Sequence, residues 1–441
     1  MTMKLGQALV FLAIFGGWTG TTSAALTDDE ATAIMDQYLN SQKVESLRAR
    51  REGPSFDRAA AMARLQEQAK ELTADLAVQE LSLDNLETLR LLLQAVEEKK
   101  PQLAKRLMEL ARQEDADGAR AALLLFEMEM NPTPRGVNPP AGTEPLKAAL
   151  AHPGFAAAMT AGKVGKLFSL LNYVDRDALG DFESRLLLLA SFVTDQQTPL
   201  ELAERAAVVN MLVSMAGEGE LKDLESYEPV RERLQKLYAQ SAAIAAKQPD
   251  GERLADYLAS IAHGLDSSYG RGQFLGHEAP ELDFIWSSGD TNYKTLDELK
   301  GKIVVLDFWA TWCGPCVASI PKLAEFKQRY KDSPVQIVGV TSIQGAHYGK
   351  TGKVDTTGEP EKEFELMKEF MQERGISWTI AFAEQEVMNP EFGIRGIPHV
   401  AILDTEGKVR FNKLHPANTA ALMQSTDTLL KEAGLPVPSR L

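Results

Sequence analysis

The chain has 441 residues, of which 44% are hydrophobic and 25% charged, and its 47 basic and 62 acidic side chains give a formal net charge of -15. This length exceeds one ordinary hydrophobic core, so two packed domains with a connecting segment are expected, and the composition excludes a disordered or membrane-embedded chain. The acidic balance argues against nucleic acid as a partner, because binding to a phosphate backbone depends on a stripe of Lys and Arg.

The first 25 residues have the pattern of an export signal. Lys4 gives a positive start, residues 8–15 are almost wholly apolar, and the small residues Ala24 and Ala25 follow. The apolar stretch is shorter than the roughly 20 residues that cross a bilayer as a helix. We therefore predict export with cleavage near Ala24 or Ala25. A retained N-terminal anchor and a buried core helix are the alternatives.

Residues 26–265 predict an all-helical domain. Thr198, Pro199 and Glu201 have the pattern of a capping box with proline at the first helical position, which begins a helix that ends near Gly217. Several prolines between 131 and 140 cannot continue a helix, so the domain is expected to be split there. Two earlier helices carry apolar stripes formed by Leu86, Leu89, Leu93 and Val96 and, after Pro101, by Leu103, Leu107 and Leu110. Nothing in these residues indicates what the helical domain does.

The chain changes character after residues 266–275, a segment rich in Ser, Gly and Arg that is the expected linker. From there strands and helices alternate, so parallel strands joined by helices are expected. A turn at Glu406 and Gly407 makes the last two strands a hairpin. The predicted strands are 303–308, 335–341, 378–383, 400–403 and 409–411, and the predicted helices are 317–330, 363–374 and 419–433.

The chain has only two cysteines, Cys313 and Cys316, in the run Trp312-Cys313-Gly314-Pro315-Cys316. They lie between a predicted buried strand and a predicted helix, where free backbone N–H groups stabilise a thiolate. In such motifs the thiol pKa falls from about 8.5 to about 3.5–7.5, which makes Cys313 a nucleophile at neutral pH. Cys316 then resolves the mixed disulfide, and the pair leaves as a disulfide.

Two other uses of a cysteine pair at this spacing have less support. A zinc site needs about four ligands, and the sequence has neither a second cysteine pair nor a close histidine pair. A purely structural disulfide that closes so short a loop adds little stability, because the stabilisation grows with loop length. The sequence therefore predicts a redox-active disulfide at Cys313 and Cys316, with no metal and no other cofactor.

The C-terminal region resembles the thioredoxin superfamily over roughly residues 276–435. Residues 306–316, LDFWATWCGPC, resemble the strand, active site and helix start of that family. Pro321 matches the proline inside its active-site helix, and residues 393–398, GIRGIP, match the loop that ends in a cis-proline. The resemblance implies an α/β thioredoxin-like domain at 276–441, preceded by the all-α helical domain.

The resemblance also implies roles for individual side chains. Asp307 would take a proton from Cys316 during resolution, and burial of a carboxyl raises its pKa in a way that suits this role. An exposed aspartate at a sheet edge is the alternative. The family has a lysine on the neighbouring strand, whereas residues 337–340 here are Ile-Val-Gly-Val. The implied partner-binding residues are Trp312, Pro315, Ile397 and Pro398.

Two side chains beside these motifs have simpler explanations. Trp309 either frames the dithiol or packs in the core, since an aromatic ring suits both positions. His399 directly follows Pro398 and could sense pH, but a strand histidine with a satisfied hydrogen bond is the favoured interpretation.

Three features resemble the TlpA-like branch, whose members are membrane-linked or periplasmic reductases. These are the export signal, Ala279-Pro280 in the opening segment 276–284, and an insertion at 344–362 that is rich in Gly, Lys and Thr. The insertion either shapes partner choice or is a solvated loop without a role.

The resemblance thus predicts a periplasmic thiol-disulfide oxidoreductase that contributes to cell redox homeostasis. It would exchange disulfides with exported proteins, more as reductant than as oxidant, and receive electrons from an upstream donor that is membrane-bound in such systems. The alternative is a redox-sensing adaptor, or binding protein, whose helical domain captures a partner. A peroxidase of the peroxiredoxin type lacks its expected cysteine context.

Overall fold

The computed structural model describes residues 26–441 except 131, 134–135, 138–143, 163, 165–166, 172–180, 290–292, 351 and 439–441. The predicted export signal lies outside the described residues. Among the helices of these ranges, none is both long and apolar enough to cross a membrane. The chain divides into two compact units, residues 1–167 and 168–441.

The first unit is mostly helical in its described part and has a core rich in leucine. Leu86, Leu93, Leu103 and Leu107 are fully buried, as the two predicted apolar stripes require. Its helices are α1 (Asp28–Glu52), α2 (Arg58–Thr73), α3 (Leu83–Gln94), α4 (Lys100–Leu110), α5 (Ala116–Glu129), α6 (Glu144–Leu150) and α7 (Phe155–Thr160). The four-residue helix α8 (Leu167–Leu170) lies at the division between the units.

The proline-rich segment 131–140 ends a helix, as predicted, but does not separate the compact units. It follows α5 and contains two antiparallel two-residue strands, β1 (Pro132–Thr133) and β2 (Gly136–Val137), so the first unit is not wholly α. Helix α5 packs against α6 and α7 on the far side of this segment. Because helices before and after the prolines share one core, the division falls about 30 residues later than the sequence suggests.

Between α8 and the predicted α/β region, the described residues of the second unit form further helices. These are α9 (Phe182–Ser191), α10 (Pro199–Gly217), α11 (Leu224–Ala245) and α12 (Glu252–Asp266). The predicted bounds of α10 are confirmed. Its start carries a full capping box, in which Glu201 N donates to Thr198 Oγ1 at 3.3 Å and Thr198 N donates to Glu201 Oε2 at 2.7 Å.

The α/β region contains a six-stranded mixed sheet in the order β10-β9-β4-β5-β8-β3. The central strand β4 runs parallel to β5 and antiparallel to β9, and β8 extends the sheet in parallel to β5. This is the thioredoxin-like fold that the sequence implies. The strands are β3 (Phe284–Ser287), β4 (Ile303–Phe308), β5 (Val335–Ser342), β8 (Thr379–Ala383), β9 (His399–Leu403) and β10 (Val409–Leu414).

Three helices accompany the sheet: α13 (Gly314–Arg329), α14 (Pro360–Arg374) and α15 (Thr419–Glu432). Side chains at alternate positions of β4, Ile303 and Val305, join a buried cluster that also takes in Leu323 and Phe326 of α13. Pro321 lies inside α13, as the resemblance implies. The predicted insertion forms a separate antiparallel hairpin of β6 (Ala346–Gly349) and β7 (Gly352–Asp355).

The segment 266–275 is packed rather than a solvated linker. The rings of Tyr269 and Phe274 are fully buried and meet edge to face, with centroids 5.1 Å apart. The Tyr269 hydroxyl donates to Glu218 Oε1 at 2.7 Å. Burial of two large aromatic rings removes much apolar surface from water and so stabilises the packed arrangement of this segment. Helices α9–α12, this segment and the sheet belong to one compact unit.

Replacing Gly393 by Ala is expected to reduce the free energy of unfolding by about 3 kcal/mol, because two costs coincide. Its backbone has φ +67°, and an added Cβ would lie 2.4 Å from the Tyr269 ring, which is too deeply buried to move. Gly396→Ala is the matched control, because nothing lies within 4 Å of a Cβ there. Urea unfolding curves of both variants check this. Equal losses in the two variants would contradict the assigned role of Tyr269.

Candidate active site

The two cysteines lie where the central strand passes into α13. Cys313 is the residue that caps this helix, with φ -81° and ψ 95°, and its Sγ accepts a hydrogen bond from the backbone N of Cys316 at 3.2 Å. The pair is joined in a disulfide with a Cα–Cα distance of 5.2 Å. In the reduced state the same N–H group and the helix dipole would face a Cys313 thiolate, which both stabilise.

The disulfide is buried beneath an exposed rim. Each cysteine is 4% exposed, whereas Trp312 is 43% exposed. Gly314 and Pro315 are also exposed. The exposed surface next to the two sulfur atoms in the chain is therefore formed by Trp312, Gly314 and Pro315.

The loop before β9 contains the cis-proline that the sequence predicts. Its Ile397–Pro398 peptide bond is cis, as the resemblance implies. Ile397 packs against the buried cluster that contains Cys313 and Cys316, and Pro398 is half-buried. The structure thus places Ile397 against the same hydrophobic cluster as the cysteines. The partner-binding role of Trp312, Pro315, Ile397 and Pro398 stays a prediction.

Asp307 is a buried carboxyl in the middle of the sheet. It pairs with Gly339 of β5 on one side and Val400 of β9 on the other, and it is 6% exposed, so it is not an edge residue. By the two-residue strand period it follows Ile303 and Val305, and it therefore faces the cluster that contains both cysteines.

Burial alone raises the pKa of Asp307 to about 7. No charged group contributes to this shift, which agrees with the apolar residues that replace the family's lysine. Within the described part of the chain, Asp307 Oδ1 has no hydrogen-bond partner. The carboxyl is thus close to half-ionised at neutral pH, where it can both accept and release a proton.

The structure favours the simpler explanations for Trp309 and His399. Trp309 is 3% exposed and packs in the core against Phe370, with ring centroids 5.8 Å apart. His399 is buried in its strand, and its Nε2 lies 2.7 Å from Asn412 Oδ1. Burial lowers the pKa of His399. Its hydrogen bond is satisfied, as the sequence interpretation favours.

Three residues at this site, Thr311, Gln344 and Tyr348, are not among those predicted from the sequence. The indole Nε1 of Trp312 donates to Gln344 Oε1 at 2.8 Å, and the backbone N of Tyr348 donates to Thr311 Oγ1 at 3.1 Å. Both bonds join the insertion to the cysteine motif. The sequence held one usable signal, since Gly349 and Gly352 lie close together inside the insertion and glycine is typical of turns.

The comparisons with known proteins concern the C-terminal region. The Redoxin family model matches residues 275–430. The thiol-disulfide oxidoreductase ResA of Bacillus thuringiensis is 27% identical over 135 residues, which cover 31% of this chain and 66% of that protein. ResA of Geobacillus thermodenitrificans is 28% identical over 136 residues, or 31% of this chain and 67% of that protein. The chain thus spans about two thirds of the length of these relatives, and for the first slightly less.

Solved structures give local matches of the same kind. A thiol:disulfide interchange protein described as a DsbE from Chlorobium tepidum is 27% identical, with 35% of this chain and 99% of that chain covered and a TM-score of 0.25. The thioredoxin domain of a thiol-disulfide oxidoreductase from Bacteroides vulgatus is 24% identical, with 34% and 96% covered and a TM-score of 0.26.

Proposed function

We propose that the protein is a thiol-disulfide oxidoreductase that exchanges disulfides with other proteins, since residues 275–430 match the Redoxin family model and the C-terminal region has a thioredoxin-like sheet. The observation that carries this proposal is the disulfide between Cys313 and Cys316 at the start of α13, buried but bordered by the exposed Trp312 and Pro315. A sulfur at a helix N-terminus, next to exposed residues, is an arrangement that suits thiol exchange.

Two exchange steps account for reduction of a partner. The Cys313 thiolate attacks one sulfur of the partner's disulfide, a mixed disulfide forms, and the partner's other sulfur leaves as a thiolate that takes a proton. Cys316 then loses its proton to Asp307 and attacks the Cys313 Sγ. The second partner sulfur leaves, and the dithiol has given two electrons to the partner.

The same proposal extends to direction and compartment. The Gly314-Pro315 dipeptide and Ile397 before the cis-proline resemble the reducing branch of the superfamily, and the N-terminal pattern supports export to the periplasm. The partners would then be exported proteins with thiols or disulfides. An upstream electron donor must restore the dithiol after each turnover, because each reduction of a partner leaves the Cys313–Cys316 disulfide behind.

Reduction of insulin by the full chain, with dithiothreitol as electron source, tests the activity. We expect catalytic turnover, and a dithiol potential measured against glutathione that is well below the roughly -120 mV of strong oxidants. The full chain is needed because α9–α12 and the sheet form one compact unit. Binding of insulin without turnover would support the adaptor instead. A potential near -120 mV would overturn the reducing direction.

A further inference from the structure

The insertion hairpin and the active-site motif are joined through an exposed tryptophan. Trp312 presents 43% of its surface to solvent, yet its indole N–H is bonded to Gln344 Oε1 at 2.8 Å. The adjacent Thr311 accepts from the backbone N of Tyr348 on β6 at 3.1 Å. The ring beside Cys313 is therefore exposed but anchored at its polar end.

Gln344 itself donates three hydrogen bonds, to two residues. Its backbone N donates to Glu363 Oε1 at 3.0 Å, and its side-chain amide donates to Ser342 O at 3.0 Å and to Ser342 Oγ at 2.9 Å. The amide orientation follows from these bonds, since an oxygen at that position would face the Ser342 carbonyl. Only the remaining oxygen, Oε1, is left for Trp312.

The support of Gln344 reaches the buried end of the insertion. Glu363, on α14, is 2% exposed, and its second oxygen accepts from Thr356 Oγ1 at 2.8 Å. Thr356 follows β7 and is fully buried. A carboxylate with both oxygens occupied inside the protein has little freedom to move, so it fixes the backbone of Gln344.

An anchored ring and a free ring differ in the conformational entropy that is lost when a partner binds over them. A free exposed indole populates several rotamers and must be ordered when a partner covers it, whereas an anchored indole is already in place. The difference affects partners that contact Trp312 over a large area. It should appear in the binding of a protein disulfide rather than in the exchange between sulfur atoms.

We propose that Gln344 is a positioning residue that holds Trp312 as a fixed wall of the partner site, and that the insertion thereby contributes to the recognition of protein disulfides. This inference rests on the proposed function. Gln344 does not contact the reacting sulfur atoms. It acts through Trp312, and Glu363 acts through Gln344.

The experiment replaces Gln344 by Leu in the full chain, which roughly keeps the size of the side chain and removes its three hydrogen bonds, one from Trp312 and two to Ser342. We expect the KM for insulin reduction to rise about fivefold with kcat changed by less than about twofold. The Trp312 indole proton resonance, observed in protein labelled with ¹⁵N-tryptophan and assigned with Trp312→Phe, should move toward the position of an unbonded indole.

Two further variants make the result specific. Lys353→Ala changes an exposed side chain of the same hairpin and should behave like the unmodified protein. In the Trp312→Phe background, which has no indole N–H, Gln344→Leu should change the KM no further, because coupled residues are not additive.

The outcomes separate the two proposals. Failure of the unmodified protein to reduce insulin would contradict the proposed function. The indole resonance would still report whether Trp312 is hydrogen-bonded to Gln344. An active protein in which Gln344→Leu leaves the resonance or the KM unchanged overturns the positioning role. The positioning role would also be overturned if Gln344→Leu raised the KM as much in the Trp312→Phe background as in the unmodified protein.

Discussion

Replacing Cys316 by Ser is expected to abolish insulin turnover and to trap partner proteins on Cys313. The first exchange step needs only Cys313, whereas release of the partner needs the second sulfur, so the mixed disulfide persists. Both cysteines are 4% exposed, and the serine occupies nearly the same volume. Mass spectrometry of the adducts before and after dithiothreitol treatment measures the effect and identifies the partners.

Cys313→Ser is the matched control for this experiment. It should lose turnover to the same extent and capture nothing, because the N–H group at the helix start that stabilises a thiolate is directed at the Cys313 sulfur. Circular dichroism of both variants should match that of the unmodified protein. Equal capture by the two variants would mean that either sulfur can attack, and the assignment of Cys313 as nucleophile would then be wrong.

Asp307→Asn is expected to slow partner release about 100-fold at pH 8, since general acid–base catalysis contributes roughly 10²–10⁴-fold. With its pKa raised to about 7, Asp307 is largely ionised at pH 8 and can take the proton of Cys316. Near pH 5.5 the carboxyl is mostly protonated, so the two proteins should differ much less. Stopped-flow measurement of release from a preformed mixed disulfide between pH 5.5 and 8.5 checks this.

The same substitution should stabilise the protein at alkaline pH. The folded state holds the Asp307 proton up to about pH 7, whereas an unfolded aspartate releases it near 3.8. Folding stability is therefore lost as pH rises from about 4 to about 7, by about 4 kcal/mol at 1.36 kcal/mol per pKa unit, and stays lower above that range.

Asp307→Asn has no carboxylate to bury, so most of that loss should be absent in urea unfolding at pH 8, and the two proteins should converge near pH 4. Asp332→Asn changes an exposed aspartate of the same unit and should leave both release and stability unaltered. A variant that releases partners slowly at every pH without gaining stability would show that Asp307 does not act as the proton acceptor.

The sequence predicted most of the α/β region because its signals are local. Continuous apolar runs indicate buried strands, and the strand Ile303–Phe308 has the predicted bounds. The burial of Asp307 followed from the same run. The start of α10 was predictable because its signal, the capping box of Thr198 and Glu201, is contained in four consecutive residues.

What the sequence did not disclose depends on contacts between distant segments. Trp312 and Gln344 are 32 residues apart, and no periodicity links them. The short edge strand β3 has only four residues, which is too few for a clear alternation. The packing of 266–275 was missed because a composition rich in Ser, Gly and Arg also suits a solvated connector, and the burial of its two aromatic rings depends on other segments.

The position of Tyr269 has a consequence for how this chain can vary. Its ring lies against the backbone of Gly217 and of Gly393, with an added Cβ at either glycine only 2.3 or 2.4 Å from a ring carbon. A side chain at 217 or 393 could be accommodated only together with a smaller residue at 269. Residues 217, 269 and 393 come from three separate stretches of the chain, so a larger side chain at either glycine requires a compensating change at Tyr269. Helix α10, which ends at Gly217, therefore cannot be exchanged for another helix without regard to the loop that carries Gly393.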